Sequence, residues 1–358
     1  MNPPRIMQSD YMHWAKFKQP VRYALTTSEV PHFRIDPQWV SFLDLDLDGA
    51  SHPRYRPLRE RIAARYQVVV EQVVCADGTS MANFLAIAAT ISAGEEVLFE
   101  HPTYEPLLGA ASFLGANIKR FKRQAADGFR LDPAMVERAM SDATRLIVLT
   151  NLHNPSGSLA DERELRAIGK LAARAGARVL VDEVYLDASG RGSAVHLGPE
   201  FVATSSLTKV YGLSGLRCGW VLAEPELVER IWRLNDLFGV NQAHQAERLA
   251  CIAFDRIDEV IGGTPSMLET NRRCFNNLVD RRDDIECAPA TFGVTAFPRW
   301  SGGDTKRLDD RLRAAYDAAV VPGHWFEMPD HFRIGFGLPV DDFAEALDRL
   351  ACALDDLR

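Results

Sequence analysis

Short apolar runs alternate with amphipathic stretches between about residue 73 and residue 222 of the chain. Nearly all-apolar strands that alternate with helices are typical of a mostly parallel sheet with helices on both faces. In such sheets ligands bind at the carboxyl ends of the strands, so functional residues are expected directly after them. The apolar runs that predict strands lie at residues 73–76, 97–100, 146–150, 178–181 and 201–204.

Two helices are predicted between these strands. The first covers residues 79–93, with Thr79 or Ser80 as its N-cap and Gly94 as its end. The second covers residues 163–175, where apolar residues recur at helical spacing on one face before Gly176. Both helices fit the strand–helix alternation of an α/β protein.

The two ends of the chain lack this alternation and are more helical and mixed in pattern. A chain of 358 residues is long enough for more than one domain. We therefore predict a large domain over residues 46–240. A smaller α+β domain is predicted from residues 1–45 together with residues 241–358.

Composition narrows the class of protein. With 47% hydrophobic and 25% charged residues, the chain is typical of a globular protein in water. Its net charge of -8 disfavours nucleic-acid binding, because an acidic surface repels phosphate backbones. The basic run at residues 119–123 is interpreted as a solvated strand or strand edge.

Membrane, secretion and metal sites are not expected from the sequence. Residues 1–10 lack the apolar core of a signal peptide, and the longest apolar stretch, around residues 84–91, is too short to span a bilayer. The six cysteines show neither a Cys-x-x-Cys pair nor zinc-ligand spacing with histidine. We therefore expect reduced thiols, no metal site and a cytoplasmic location.

Polar residues lie directly after several of the predicted strands, and they should converge at one edge of the sheet. They are residues 77–80 (Asp-Gly-Thr-Ser), 151–157 (Asn-Leu-His-Asn-Pro-Ser-Gly), 182–185 (Asp-Glu-Val-Tyr) and 205–209 (Ser-Ser-Leu-Thr-Lys).

The first and last of these segments suit a phosphate group. A helix N-terminus with free backbone N–H groups and small hydroxyl side chains binds phosphate, which fits Gly78, Thr79 and Ser80. Ser206 adds a hydroxyl, and Arg217 adds a guanidinium that is suited to forked phosphate contacts.

The remaining polar residues suit the ring and aldehyde of pyridoxal 5′-phosphate (PLP). Asp182 would keep the pyridine nitrogen protonated, which makes the ring an electron sink. Tyr185 and Asn154 would hydrogen-bond the phenolic oxygen, and Tyr104 would stack on the ring face. Lys209 would form the Schiff base and, once released by substrate, move a proton between the substrate Cα and the cofactor C4′.

Residues 205–220 resemble the lysine-site motif of class I/II aminotransferases, which are fold-type I PLP-dependent enzymes. The motif has Ser-x-x-Lys at Ser206 and Lys209, then Tyr-Gly, then Gly-x-Arg-x-Gly around Arg217. Residues 154–157 resemble the family's Asn-Pro-Thr/Ser-Gly, and residues 182–185 its Asp-x-x-Tyr. Each motif is weak alone, whereas five in the family's order over residues 50–340 are specific.

A C-terminal segment, residues 332–335 (Phe-Arg-Ile-Gly), resembles the one whose arginine binds the substrate α-carboxylate. The resemblance assigns substrate binding to Arg333, with Asn154 beside it. It implies the fold-type I architecture, with a mostly parallel mixed sheet flanked by helices plus a smaller α+β domain. The implied reaction moves an amino group from an amino acid to a 2-oxo acid through a Lys209 aldimine, with Lys209, Asp182 and Tyr185 as catalytic residues.

The resemblance also implies a homodimer with active sites near the subunit interface. In relatives, a residue of the neighbouring subunit reaches the cofactor phosphate. The candidates here are His52, Arg54 and Tyr55.

Alternatives on the same scaffold stay open: a C–S β-lyase, a decarboxylase or a cyclising synthase, which share the cofactor residues. A PLP-binding regulator without turnover is disfavoured, because only about 45 residues precede the large domain and they are not basic. The substrate is not identified. Glu29 or Val30, in a segment where relatives have a pocket-lining loop, would contact its side chain, and no second arginine indicates a dicarboxylic substrate.

Overall fold

The computed structural model describes residues 7–47 and 49–358, which cover a central sheet and the helices around it. The helices are α1 (Asp10–Phe17), α2 (Arg56–Tyr66), α3 (Gly78–Thr90), α4 (Glu105–Phe113), α5 (Pro133–Ala139), α6 (Glu162–Ala175), α7 (Pro225–Asn235), α8 (His244–Asp255), α9 (Ile257–Ile261), α10 (Thr264–Asp280), α11 (Lys306–Ala315) and α12 (Val340–Asp355). The strands are β1 (Tyr23–Ala24), β2 (Val73–Asp77), β3 (Glu96–His101), β4 (Asn117–Lys122), β5 (Thr144–Thr150), β6 (Arg178–Asp182), β7 (Phe201–Ser206), β8 (Cys218–Leu222), β9 (Ile285–Glu286), β10 (Thr295–Ala296), β11 (Arg299–Trp300), β12 (Ala318–Ala319), β13 (Val321–Pro322) and β14 (Phe332–Gly335).

Seven strands form the central sheet in the order β2-β8-β7-β6-β5-β3-β4. Strands β4, β3, β5, β6 and β7 run parallel to one another, whereas β8 runs antiparallel to both β7 and β2. The middle strands are buried along almost their whole length. The prediction of a mostly parallel, mixed sheet covered by helices is confirmed.

The five predicted apolar runs lie in β2, β3, β5, β6 and β7. Strand β8 was not predicted as a strand, because its residues were assigned to the glycine-arginine part of the lysine-site motif. The basic run lies on β4, whose alternating exposure is that of an edge strand, as interpreted. Arg123 is the exception, since it is buried and pairs with buried Glu100 at 3.1 Å.

The boundaries of α3 differ from the prediction. The helix begins at Gly78 with Asp77 as N-cap and no side-chain cap, so the assignment of Thr79 or Ser80 as N-cap was wrong. The helix ends at Thr90, because the backbone of Ile91 is already extended. Gly94, where the prediction ended the helix, lies three residues after Ile91 and has a positive φ. The end of α6 at Gly176 is confirmed, with this glycine in the left-handed conformation that suits a helix C-terminus.

The two ends of the chain meet in smaller sheets. Strand β1 pairs in parallel with β12, and β14 lies between β10 and β13. The division into two domains stays a prediction. Helix α8, which follows residue 240, packs against α2 and β8 beside the central sheet. Among the described residues no helix is long and apolar enough to cross a membrane.

Candidate active site

A cavity of about 590 Å³ lies where the central strands end. The polar residues expected after separate strands meet in it, together with Arg333 from β14. Of the predicted site residues, the cavity is lined by Thr79, Ser80, Tyr104, Asn154, Asp182, Tyr185, Ser206, Lys209, Arg217 and Arg333.

Gly78 shapes one end of this cavity although its own atoms do not line it. Its φ of +79° and its position beside the Arg217 guanidinium leave no room for a side chain. Arg217 Nη2 donates to the Asp77 carbonyl at 3.1 Å and forms no ion pair with the described residues. The guanidinium therefore lies over the N-terminus of α3, where an anion would also be attracted by the helix.

Two hydroxyl groups complete this end. Thr79 Oγ1 is buried and has no hydrogen-bond partner among the described residues. Ser206 is fully buried, and its Oγ accepts from the backbone N–H of Thr208 at 3.2 Å. A buried hydroxyl without a hydrogen-bond partner, a helix N-terminus and a guanidinium without an ion-pair partner among the described residues together fit a phosphate group.

Asp182 is held from behind at the end of β6. Its Oδ2 accepts from Asn83 Nδ2 at 2.8 Å, and its Oδ1 accepts from the Val184 backbone N–H at 3.1 Å. Burial raises the pKa of Asp182 to about 6, so the carboxyl is still mainly ionised at neutral pH. An oriented, buried carboxylate fits the protonated nitrogen of a pyridine ring.

Asn83 was missed by the sequence analysis. Its side chain bridges Asp182 and Thr204, whose Oγ1 donates to Asn83 Oδ1 at 2.6 Å. A polar amide in an otherwise apolar, buried helix was the available signal. Such buried amides are normally retained only with full hydrogen bonding, which Asp182 and Thr204 provide here.

Lys209 follows β7 and lines the cavity. Its Nζ donates to Ser28 Oγ at 3.3 Å and lies 3.9 Å from Glu29 Oε2. Desolvation lowers the pKa of Lys209, against the opposing attraction of Glu29. A lowered pKa increases the share of neutral amine, which is the form that acts as nucleophile and base.

The loop that was expected to line the pocket is present. Of the two residues predicted to contact the substrate side chain, only one lines the cavity. Glu29 lines the cavity, whereas Val30 is buried and does not. The Val30 backbone N–H instead donates to the Lys209 carbonyl at 3.0 Å. This bond fixes the loop directly against the lysine.

Arg333 lies at the other end of the cavity and is 1% exposed. Its Nη1 donates to Asn154 Oδ1 at 3.1 Å, and its Nη2 donates to Tyr11 Oη at 3.1 Å and to the Thr26 carbonyl at 3.2 Å. Its Nε has no partner, and no described carboxylate forms an ion pair with it. A buried guanidinium without a counter-ion fits a ligand carboxylate.

Helix α1, which was not predicted, covers the Arg333 end of the cavity. Tyr104 packs edge-on against Tyr11 with ring centroids 5.7 Å apart, and its hydroxyl contacts Met12 Sδ at 3.2 Å. Burial, assisted by repulsion from Arg333, lowers the pKa of Lys18 to about 8. Helix α1 does not follow a strand of the sheet, so its place beside the cavity is seen only in the folded structure. The lining residues from this helix and the residue after it are Tyr11, Met12, Ala15, Lys16 and Lys18.

Tyr185 lies in the cavity beside Asp182, as predicted. Burial raises the pKa of its phenol to about 12, so its hydroxyl remains a hydrogen-bond donor at any physiological pH. A neutral phenol fits hydrogen bonding to a ring oxygen that carries negative charge.

Comparisons with known proteins agree with this chemistry. The family described as "Aminotransferase class I and II" matches residues 50–350. Capreomycidine synthase of Streptomyces vinaceus is 33% identical to this chain over 332 residues, which cover 87% of this chain and 83% of that protein. Arginine–pyruvate transaminase AruH of Pseudomonas aeruginosa is 26% identical over 330 residues, which cover 84% and 81%.

Two solved structures have the same fold over the whole chain. A PLP-dependent aminotransferase from Streptococcus suis superposes with a TM-score of 0.89 at 20% identity, covering 100% of this chain and 99% of that one. The PLP-dependent cyclase OrfR superposes with a TM-score of 0.86 at 24% identity, covering 99% of each chain. One fold thus carries both a transaminase and a cyclase among the similar proteins.

Proposed function

Because the chain belongs to the class I and II aminotransferases, whose cofactor is pyridoxal 5′-phosphate, we propose that it transfers an amino group from an amino acid to a 2-oxo acid. The observation that carries this proposal is that Lys209 lines the same cavity as two groups of anion-binding residues. One group, around Arg217, fits the cofactor phosphate, and the other, around Arg333, fits a substrate carboxylate. An amine in one cavity with both groups can act on the Cα of an amino acid that they bind.

Residues at the start of α3 and at the adjoining ends of β7 and β8 would hold the cofactor phosphate. Gly78, Thr79, Ser80, Ser206 and Arg217 would bind its phosphate through backbone, hydroxyl and guanidinium donors. When bound, the cofactor supplies a pyridinium ring that withdraws electrons from the substrate Cα.

The ring itself would be fixed by side chains at the ends of β5 and β6. Asp182 would pair with the ring nitrogen and keep its proton in place, since Asn83 fixes the orientation of the carboxylate. Tyr185 and Asn154 would donate to the ring oxygen, and Tyr104 would cover the ring face. Asn154 would donate through its Nδ2, since its Oδ1 accepts from Arg333.

Substrate handling falls to Arg333 and Lys209. Arg333 binds the α-carboxylate by a two-pronged contact, with Asn154 beside it, and so orients the Cα–H bond towards Lys209. The neutral Nζ of Lys209 removes the Cα proton and returns a proton to the product side. Ser28 and Glu29, which contact or approach Nζ, hold the amine in place between these transfers.

A cyclising synthase is the second candidate function, and one specific observation favours it. A protein named capreomycidine synthase is 33% identical to this chain, and a PLP-dependent cyclase shares its fold. Both candidates begin with removal of the Cα proton by Lys209. In a cyclase the substrate then loses a leaving group, and a nucleophile of the same substrate attacks that position and closes a ring. Glu29, at 3.9 Å from Lys209 Nζ, would accept the proton of that nucleophile.

A substrate screen separates the two candidates. Single amino acids, with arginine included, are added to the purified holoenzyme with and without a 2-oxo acid. For a transaminase we expect the cofactor absorption to convert to the amine form, and turnover to require the 2-oxo acid. For a cyclase we expect turnover without any 2-oxo acid and, by mass spectrometry, a product that retains its amino group. Full turnover without an acceptor and with the amino group retained would overturn the transaminase proposal.

We also propose that the enzyme is a homodimer that works in the cytoplasm. Arg217 and Ser80 at the phosphate end of the cavity are exposed in the single chain, so this end is open. Two nearby segments carry exposed apolar side chains, and they are joined where Asn241 Nδ2 donates to Ser51 Oγ at 3.1 Å. Large apolar side chains that are exposed in the single chain are typical of an interface. These residues, called here the apolar patch, are Phe42, Leu43, Leu47, Leu237, Phe238 and Val240.

Sedimentation of the holoenzyme tests the dimer. Wild type is expected at twice the chain mass, and Phe238→Asp is expected to shift the equilibrium towards the monomer. A wild-type protein that sediments as a monomer at micromolar concentration would exclude this interface. His52, Arg54 and Tyr55 stay candidates for the contact with the partner's phosphate, although Arg54 already pairs with Glu229 at 2.6 Å within its own chain.

A further inference from the structure

Three potential metal ligands lie close together outside the cavity. Asp46, His52 and His244 each bring one ligand atom within 4.8 Å of the others. Asp46 and His52 lie six positions apart in the segment before α2, whereas His244 is the first residue of α8. Because His244 is remote in sequence from the other two, ligand spacing did not indicate the cluster.

His244 gives the second, independent observation. It is 4% exposed, and neither of its ring nitrogens has a hydrogen-bond partner among the described residues. Its Nε2 faces Asp46 Oδ2 at 3.4 Å, and its Nδ1 faces Glu247 Oε2 at 3.5 Å. A buried imidazole with both nitrogens unsatisfied is costly, and a cation between His244 and Asp46 would remove that cost.

The surroundings favour a metal ion over an alternative partner. The ring of His244 packs edge-on against His52 at 5.1 Å and against Tyr55 at 4.9 Å, but ring packing does not satisfy its nitrogens. No described lysine or arginine forms an ion pair with Asp46. Metal-bound histidines usually donate the N–H group of their second ring nitrogen to a nearby acceptor. Glu247 lies at that position beside Nδ1 of His244.

We propose that Asp46, His52 and His244 form a binding site for a divalent transition-metal ion such as zinc. Two imidazoles and one carboxylate are a ligand set that zinc and its neighbours in the first transition row accept, with the remaining positions open to water. The ion would fasten the segment around Asp46 to the start of α8. This site lies beyond the proposed function, and it runs against the expectation of no metal, which rested on spacing alone.

A metal ion at His52 would also leave fewer candidates for the contact with the partner's phosphate. If His52 is a metal ligand, the contact with the partner's phosphate falls to Arg54 or Tyr55. Since Phe42, Leu43 and Leu47 of the apolar patch flank Asp46 in sequence, the ion would also stabilise the surface proposed for the dimer.

Zinc titration of the full-length holoenzyme by calorimetry tests the site. To remove a competing exposed thiol, the titration uses Cys352→Ser as the parent protein. We expect one zinc per chain, and at least about 10-fold weaker binding in His52→Ala, His244→Ala and the acceptor variant Glu247→Gln. His32→Ala, which removes an exposed histidine outside the cluster, is the matched control and should bind as the parent does.

His244 is buried, so its loss could disturb folding; a milder variant and a spectroscopic probe keep the test decisive. Asp46→Asn preserves size and should weaken zinc binding while leaving the circular dichroism spectrum unchanged. With cobalt(II) as probe, the parent should show visible ligand-field absorption that Asp46→Asn and His52→Ala reduce. The proposal is overturned if the parent binds no zinc at one per chain, or if the cluster variants bind as tightly as His32→Ala.

Discussion

The two ends of the active-site cavity are built in different ways. The cofactor end comes from one sheet, whose strands β2, β5, β6 and β7 each deliver polar residues directly after their last apolar residue. The substrate end comes from α1, the loop at residues 26–29 and β14, which are parts of the two chain ends. The first is therefore encoded in local sequence, and the second only in how the chain ends meet.

Contacts across the substrate end show how far apart its parts lie in the chain. Arg333 bonds to Tyr11 over a sequence separation of 322 residues and to Thr26 over 307. The pairing of β1 with β12 brings these segments together. Changes at the cofactor end should thus abolish cofactor chemistry, whereas changes at the substrate end should alter substrate affinity and leave cofactor binding intact.

The largest expected effect is that of Lys209→Ala, at the point where the two ends meet. Loss of the general base should reduce kcat by about 10³-fold or more. The variant should also lose the absorption of the lysine-bound cofactor. Absorption spectra and steady-state turnover measure both effects. Lys170→Ala, a matched change at an exposed lysine on α6, should alter neither. Retention of full activity in Lys209→Ala would refute the proposed mechanism.

Arg333→Gln should have the next largest effect, and at the substrate end alone. A substrate carboxylate left without its buried partner costs roughly 2–5 kcal/mol, which corresponds to a loss of kcat/KM of about 30-fold or more. The absorption of the bound cofactor should change much less than in Lys209→Ala, because Arg333 approaches the cofactor residues only through Asn154. A spectrum altered as strongly as in Lys209→Ala would contradict the separation into two ends.

How much the sequence could predict follows from the same division. The five apolar runs and the residues after them were recognisable because strand ends and motifs are local. Strand β8 was missed, since its Gly-x-Arg-x-Gly pattern resembles a loop motif as much as a strand. Asn83 was missed because a single amide in a helix is no motif, although Asp182 depends on it.

The substrate end was predicted only where a resemblance indicated it. Arg333 was identified from its flanking residues, and Glu29 from the position of a loop. Helix α1 gave no signal, because its eight residues are amphipathic like many surface helices and their contact with Arg333 requires the folded chain. Local patterns predict which residues follow a strand, but they do not predict which distant segments close over them.

Tyr11→Phe tests the part of the substrate end that the sequence did not indicate. The change removes one hydrogen bond to Arg333 and keeps the ring. A net hydrogen bond contributes about 1 kcal/mol, so KM should rise about fivefold with kcat nearly unchanged. Steady-state kinetics measure this split, and Tyr316→Phe, at the C-terminal end of α11 and outside the cavity, is a matched control. An unchanged KM would show that α1 does not support the carboxylate site.

Glu183→Gln, directly behind the cofactor end, should change stability and not chemistry. Glu183 is 2% exposed; its Oε1 accepts from the Ala194 backbone N–H at 2.6 Å, and its Oε2 has no described partner. Burial raises the pKa of Glu183 from 4.5 to about 8. Between these two values the native protein holds more protons than the unfolded chain, so the free energy of unfolding falls as pH rises.

The amide of Gln cannot ionise but keeps the acceptor for Ala194. Above pH 8 the variant should therefore be more stable than wild type, by an amount on the order of 1 kcal/mol for each pKa unit of difference that is removed. Near pH 5 the two proteins should be closely matched, because Glu183 is then protonated in the native state. Urea unfolding at both pH values measures the difference, with Glu226→Gln as an exposed control. Equal stability at high pH would mean that Glu183 is ionised and paired in the native protein.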